Sequence, residues 1–454
     1  MRKNNIYKKA LKLALPMMIQ NGITNAVGLI DNLMVGSIGT EAMTAVSIVG
    51  QLIFVFNLAI FGGVSGPGIY GAQFFGQGNK KGFLNAVRMK MWICMVCTIL
   101  GILTFVFGGS FLINLYLQGN GTSMDAGLTM EYAREYMTIM LFGLVPFAFT
   151  QVYAGSLRET GESIKPMAGG IASVVVDIVF NYFLIYGKGP FPELGVQGAA
   201  IATVLARLVE MGVVIIWTHK TNTKDSFMCG IYETLKVSGN LAKAMTKKGF
   251  PIFINEFLWA GAMAALTQCY SRRSLEVVAG INISNAICNV LNVVFVALGA
   301  AVGVIIGQLL GESRFEEAKK GAVKLMFFSG GICVVTGLIL ILISGVFPEL
   351  YETTDEVKHL GKIFIIITAG YFPIQGFLNA LYFTIRSGGK TFITMLFDSV
   401  FSWLVLVSTA AVLCFFTDIP IFGVYIIVQS LDIIKIVIGY AIFKKGIWIT
   451  NLVA

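Results

Sequence analysis

LRETGESIKPM (Leu157 to Met167) decides the architecture, because it returns 228 residues later within TIRSGGKTFITM (Thr384 to Met395). Arg386, Gly389, Thr391 and Met395 answer Arg158, Gly161, Ser163 and Met167. Upstream of this stretch the chain repeats at a shift of 235: Pro16 answers Pro251, Gln73 answers Gln308, Gly76 answers Gly311, and Leu115-Tyr116 answers Leu350-Tyr351. Downstream the shift is again 228, for Gly195-Val196 against Gly423-Val424 and for Arg207 against Lys435. One change of 7 residues between Tyr116 and Leu157 reconciles the two values. A chain written twice holds two copies of one structural unit, and in a membrane chain that points to a transporter with its site between the halves.

Composition places the chain in a membrane. Apolar residues make up 56% and charged residues 13%, against about 25% charged in a typical soluble domain. About 20 apolar residues span a bilayer. The runs predict twelve spans, near 10–36, 44–74, 88–116, 130–156, 167–187, 195–218, 248–271, 277–308, 322–347, 360–385, 391–416 and 422–443. The expected fold is therefore all-α, with residues 1–218 as a first six-helix lobe, 219–247 as a basic cytoplasmic linker and 248–454 as a second lobe. Six spans per half is an even number, so both halves enter the membrane in the same direction. The expected relation is a pseudo-two-fold axis along the membrane normal, with the substrate path in the cleft between the bundles.

The net charge of +9 has a local origin. With both termini inside, 25 of the 33 basic residues fall on the cytoplasmic side and 6 outside, leaving Arg207 and Lys435 within spans. The positive-inside rule then predicts a multi-pass protein of the plasma (cell inner) membrane with both termini cytoplasmic. A nucleic-acid partner is not expected, because the basic residues are scattered over separate loops without an aromatic platform. Cys94 and Cys97 have CxxC spacing but lie in an apolar run, MWICMVCTIL, which reads as packing. His219 and His359 stand at span edges without a metal-ligand pattern, so metal catalysis is not expected. No cleavable signal is read, since Pro16, Gln20 and Asn21 interrupt the first apolar run.

The informative residues are those that do not belong in lipid, where a charge costs at least about 2.5–3.5 kcal/mol. Asp31 lies in NAVGLIDNLMVGSIG without a basic neighbour. Asp177 and Asn181 lie in SVVVDIVFNYFLIYG, four apart and so on one helical face. Either acid is kept neutral by a proton, since desolvation disfavours the charged form, or binds a cation with Asn181 and Thr203 as neutral oxygen ligands. Both states change when the cation leaves, as coupled transport requires. Arg207 with Glu210, and Asp432 with Lys435, are each three apart and read as structural ion pairs or snorkelling groups near the cytoplasmic end. Asp398 faces either the cleft or a polar partner. Asn255 and Glu256 are the second lobe's own buried polar pair. Pro16 and Pro251, near the start of the first helix of each lobe, are hinge candidates, with a static kink as the alternative. The Arg158 and Arg386 loops read as turns that need Gly161 and Gly389. Set side by side, the halves match in frame but not in acids: Asp31 falls opposite Leu266 and Asp177 opposite Val405.

Taken together these residues resemble the multidrug and toxic compound extrusion (MATE) family from end to end. The resemblance rests on LALPMMIQN followed by Asp31, on AQFFGQ (Ala72 to Gln77) with GQLLGE (Gly307 to Glu312), and on the loop from Leu157 to Pro166. It also rests on D-x-x-x-N-Y-x-L-I-Y-G in the fifth span and on GVQGAAIAT from Gly195 to Thr203. It implies export of cationic or amphipathic organic compounds in exchange for H⁺ or Na⁺, with Asp31, Asp177, Asn181 and Thr203 matching the amino-lobe cation site. Na⁺ at Asp31, Asp177 and Asn181 is one form of that expectation. No cofactor, no catalytic residue and a monomer are expected. Two departures stand out. Glu256 comes only five residues after Pro251, and the tenth span, IFIIITAGYFPIQGFLNALYFTIR, lacks an acid. A second Na⁺ site in the carboxy-terminal lobe is therefore not expected, and Glu256 is left to touch substrate. Two alternatives remain open: a flippase for lipids or lipid-linked oligosaccharides, which calls for a basic cleft, and an integral-membrane enzyme, which calls for a catalytic cluster at one interface.

Overall fold

The computed structural model describes residues 4–117, 125–221 and 226–454. The outer loop expected near 117–130 and the linker expected at 219–247 thus lie partly outside the described residues, as do Arg2, Lys3 and Lys224 of the charge tally. Among the described residues twelve helices are long and apolar enough to cross a membrane, with mean hydropathy between 1.3 and 2.5 over their most apolar stretches. They are α1 (Asn4–Gly36), α2 (Thr40–Gln77), α3 (Lys80–Leu117), α4 (Ala126–Glu159), α5 (Ile164–Tyr186) and α6 (Gly195–Lys220). The second half supplies α7 (Gly239–Ser271), α8 (Leu275–Gly311), α9 (Phe315–Ile343), α10 (Asp355–Ser387), α11 (Thr391–Phe416) and α12 (Ile421–Lys444). The expected all-α fold with twelve spans is what the molecule has.

Helix boundaries follow local chemistry. Asp125 caps α4 by accepting from the amides of Gly127 at 2.8 Å and Leu128 at 3.0 Å, and Ser274 caps α8 through Val277 at 3.2 Å. The turns after α4 and α10 pass through Gly161 at φ 90° and Gly389 at φ 72°, a region that favours glycine. Pro16 and Pro251 both lie inside continuous helices, α1 and α7. In α11 the backbone of Leu396–Val400 and Ser402–Val407 is wound as π-helix, which widens the turn and is commonest at functional positions.

The chain forms two compact units. The amino-terminal unit is Ile19–Gly71 with Lys80–Lys243. The carboxy-terminal unit is Met1–Met18, Ala72–Asn79 and Ala244–Ala454. Its core joins Ile6, Ala10, Leu13 and Met17 of α1 to α8, α9 and α10. Within it the repeated motifs AQFFG and GQLLG meet reciprocally. A Cβ on Gly76 would lie 2.0 Å from the Gln308 carbonyl oxygen, and one on Gly311 would lie 1.9 Å from that of Gln73. The amino-terminal unit packs α5 on α6 through small residues. Gly198 approaches the Leu184 backbone so closely that a Cβ would come within 2.6 Å of it, and Ala199, Ala200 and Ala202 are buried beside it. This close approach is what brings the polar face of α5 up to α6.

Candidate cation site

The polar face of α5 is built from Asp177 and Asn181, 7% and 1% exposed, one helical turn apart. Asn181 Nδ2 donates to Asp31 Oδ1 of α1 at 2.8 Å. Asp31 and Asp177 are electrostatic neighbours across α1 and α5. Two carboxyls that close either share a proton or bracket a cation. From α6 the Thr203 hydroxyl donates to its own helix's Ala199 carbonyl at 3.1 Å and lies in the neighbourhood of Asp177. Tyr136 of α4, 8% exposed, borders the cluster, with Thr203, Asp177 and Asp31 among its electrostatic neighbours. The four residues singled out in the sequence, Asp31, Asp177, Asn181 and Thr203, therefore meet at one place, and Tyr136 joins them. A tyrosine in an apolar run carries no signal, which is why sequence reading passes over it.

One property of this cluster stands apart from ordinary packing. Asp177 Oδ1 and Asn181 Oδ1 are buried acceptors with no hydrogen-bond partner among the described residues. Buried polar atoms are normally satisfied, and an unsatisfied one calls for an explanation. Here two such oxygens sit on one face beside a second carboxylate. The donor set is oxygen only, which suits a proton or a hard cation rather than a thiophilic or imidazole-seeking metal.

Two expected ion pairs are corrected. Arg207 stands at the middle of α6, not near its cytoplasmic end, with Nη1 on the Gly143 carbonyl at 3.1 Å and the guanidinium 5.2 Å from the Phe147 ring centre. Its neighbour in sequence, Glu210, accepts from Gln20 Nε2 at 3.3 Å, and Gln20 Oε1 accepts from Arg158 at 3.0 Å. Lys435 pairs with Asp398 at 3.0 Å, while Asp432 accepts from Gln375. In each case a neighbouring helix offers a better partner than the adjacent turn does.

The carboxy-terminal unit holds its own polar network. Asn255, 2% exposed, donates to Asp398 Oδ2 at 3.1 Å and to the Tyr382 hydroxyl at 3.3 Å, and accepts from Ser399 at 2.6 Å. Asp398 lies in the first π-helical stretch of α11 and so meets a polar partner, Lys435, as one of its two expectations had it. Glu256 is half-buried, with Arg386 and Asp398 as its electrostatic neighbours. Arg386 is buried over the Phe383 and Tyr382 rings, at 5.3 and 5.9 Å. Asp398 is answered by Lys435, whereas Glu256 makes no ion pair among the described residues. His219 likewise has company, from Tyr153 at 2.9 Å and from the stacked ring of Tyr232.

A family model described as MatE matches residues 16–183 and 251–412 of the chain. Among curated proteins, the chain is 25% identical to Probable multidrug resistance protein YoeA of Bacillus subtilis (strain 168), over 97% of this chain and 94% of that protein. It is 22% identical to Probable multidrug resistance protein NorM of Thermotoga maritima, over 98% and 93% of the two chains. Among solved structures, an outward-facing MATE transporter of the MOP superfamily superposes with TM-score 0.87 at 19% identity, covering 98% of this chain and 96% of that one. A MATE structure in complex with MaL6 superposes with TM-score 0.86, also at 19% identity.

Proposed function

The chain belongs to the MATE family, and from that premise we propose that it exports cationic or amphipathic organic compounds in exchange for H⁺ or Na⁺ by alternating access. One observation carries this reading: Asp177 Oδ1 and Asn181 Oδ1 stand buried and unpartnered beside Asp31. A cation there gains three or four oxygen ligands from Asp31, Asp177, Asn181 and Thr203, and relieves the repulsion between two neighbouring carboxylates. When it leaves, α1 and α5 lose the shared ligand and keep only the Asn181–Asp31 hydrogen bond at that place. Pro16, two residues before the unit boundary at Met18, supplies a break in the backbone hydrogen bonding at which α1 can bend. The cation and the exported compound then favour different states, and that mutual exclusion is the coupling.

The energetics suit this exchange. Moving one positive charge outward against 100 mV costs about 2.3 kcal/mol, and one incoming H⁺ or Na⁺ offsets it. The names of the relatives, which speak of multidrug resistance, support a small-molecule cargo. Glu256 is the residue we assign to contact the cargo's charge, because Asn255 is already committed to Asp398, Tyr382 and Ser399. We place the protein in the plasma membrane as a monomer with both termini cytoplasmic, in keeping with its basic loops, and without cofactor, nucleic-acid partner or catalytic activity. The test is ethidium efflux from proteoliposomes under an imposed H⁺ or Na⁺ gradient. The wild type exports under one gradient, and Asp31→Asn, folded and inserted normally, does not. Wild-type efflux from Asp31→Asn would sink the reading.

A further inference from the structure

Arg207 has 12 residues of α6 before it and 13 after, the depth at which a guanidinium is hardest to keep. Its surroundings are built for it. A Cβ on Gly143 would come within 3.2 Å of Arg207 Cδ, so the glycine leaves the space its chain fills. The head rests on a neutral carbonyl and an aromatic face, Gly143 and Phe147, and not on a carboxylate. Glu210 is engaged by Gln20. Gly198 packs on the Leu184 backbone and Gly169 on Glu210 and Val214, so α5 runs antiparallel to α6 with Asp177 level with the turn from Thr203 to Arg207. The electrostatic neighbours of Arg207 are Tyr136, Glu210 and Asp177, and Glu210 is shared with Arg158. Among the described residues Arg207 thus makes no ion pair, while at the same level of α5 the buried Asp177 Oδ1 lacks a donor.

We propose that Arg207 is a tethered counter-charge for the acidic pair: it turns onto Asp177 Oδ1 when the coupling cation leaves and withdraws to Gly143 and Phe147 when the cation returns. The proposal rests on the antiport reading and deepens it. Arginine suits the task because it stays charged throughout and has a long, rotatable stem. Two carboxylates and one guanidinium sum to a single negative charge, which one monovalent cation balances. One coupling cation per cycle follows. Arg207 is a positioning residue here, not a ligand of the cation.

The experiment compares wild type, Arg207→Gln, Arg207→Lys and Phe147→Leu in proteoliposomes, following ethidium efflux against the concentration of the driving ion, Na⁺ or H⁺. Without the competing charge, Arg207→Gln binds the driving ion more tightly, so its half-saturating concentration falls by at least roughly tenfold, the upper bound being about a thousandfold for charges about 4 Å apart at an effective dielectric of about 20. Its maximal rate falls as well, because the emptied site is left unbalanced, and Arg207→Lys restores both. Phe147→Leu weakens the withdrawn position and moves half-saturation the opposite way, upward by roughly two- to fivefold, the worth of a cation–π contact. That variant keeps the test alive should Arg207→Gln fail to fold. Unchanged half-saturation in either variant, or a shift of the same sign in both, overturns the proposal. A wild type that exports without any ion dependence overturns the antiport reading itself, which is a distinct result.

Discussion

Asp177 Oδ1 and Asn181 Oδ1 are costly atoms, since a buried acceptor without a donor forfeits about 1–3 kcal/mol. A cation that binds both removes that cost. Asp31 and Asp177 are legible in the sequence because a carboxylate in an apolar run has no ordinary reason to be there. Asn181 is legible from its spacing, and Thr203 from its motif. The partners of Arg207 and Lys435 are not legible, because the chain displays neighbours on the same helix while tertiary packing offers others. Lys90 shows the same limit. In sequence it reads as one more cytoplasmic cation, yet it is fully buried and pairs with Glu159 at 2.6 Å, with Ser156 at 3.0 Å beside it. Gly68 and Gly71 make room for that carboxylate, since a Cβ on either would fall within 2.8 Å of it. Removing one partner of a buried pair strands the other, so Lys90→Met should lose about 3–5 kcal/mol of stability, and Lys90→Met with Glu159→Leu should regain most of it. Unfolding in mixed micelles reads this directly, and a single variant as stable as wild type would contradict it.

At the scale of elements, twelve apolar runs give twelve helices, because length and hydropathy decide a span, but α1, α3, α7 and α9 begin six to nine residues before the expected starts, where polar first turns extend the helix beyond its apolar run. The π-helical winding of α11 escapes that logic, since an extra residue per turn leaves no mark in an apolar sequence. It matters locally by setting where Asp398 points. The first and fifth helices of each half meet at one shared register. Gly170 lies against Gln20 in the first half, and their counterparts Asp398 and Asn255 are hydrogen-bonded in the second. The tight crossing of α2 and α8 in the carboxy-terminal unit yields a sharper expectation. Gly311→Ala sets a methyl against the Gln73 backbone, which cannot move aside as a side-chain tip can. Overpacking of this kind costs about 1–3 kcal/mol or more. Gly331→Ala, with nothing within 4 Å, serves as the control. A fluorescence melt should show a lowered midpoint for the first and none for the second, and equal midpoints would contradict the packing account.

For the molecule as a whole, the repeat gives the frame and its exceptions give the chemistry. Pro16 and Pro251, Gln73 and Gln308, and Arg158 and Arg386 recur; Asp31 and Asp177 do not. The repeat was readable because matched residues keep fixed offsets. The coupling role was readable only as far as the acids, because what surrounds them is assembled from α1, α4, α5 and α6. The central claim is that one cation at Asp31 and Asp177 is exchanged for one outgoing molecule, and coupling of this kind is reciprocal. The most direct test therefore runs the exchange from the other side. An ethidium gradient is imposed on proteoliposomes with no gradient of H⁺ or Na⁺ and no membrane potential, and the movement of both ions is recorded. The account predicts that ethidium flux drives one of the two ions uphill in the opposite direction, and that Asp177→Asn abolishes this. Ethidium crossing on the wild type with no opposing ion movement, or undiminished ion movement on Asp177→Asn, would contradict it.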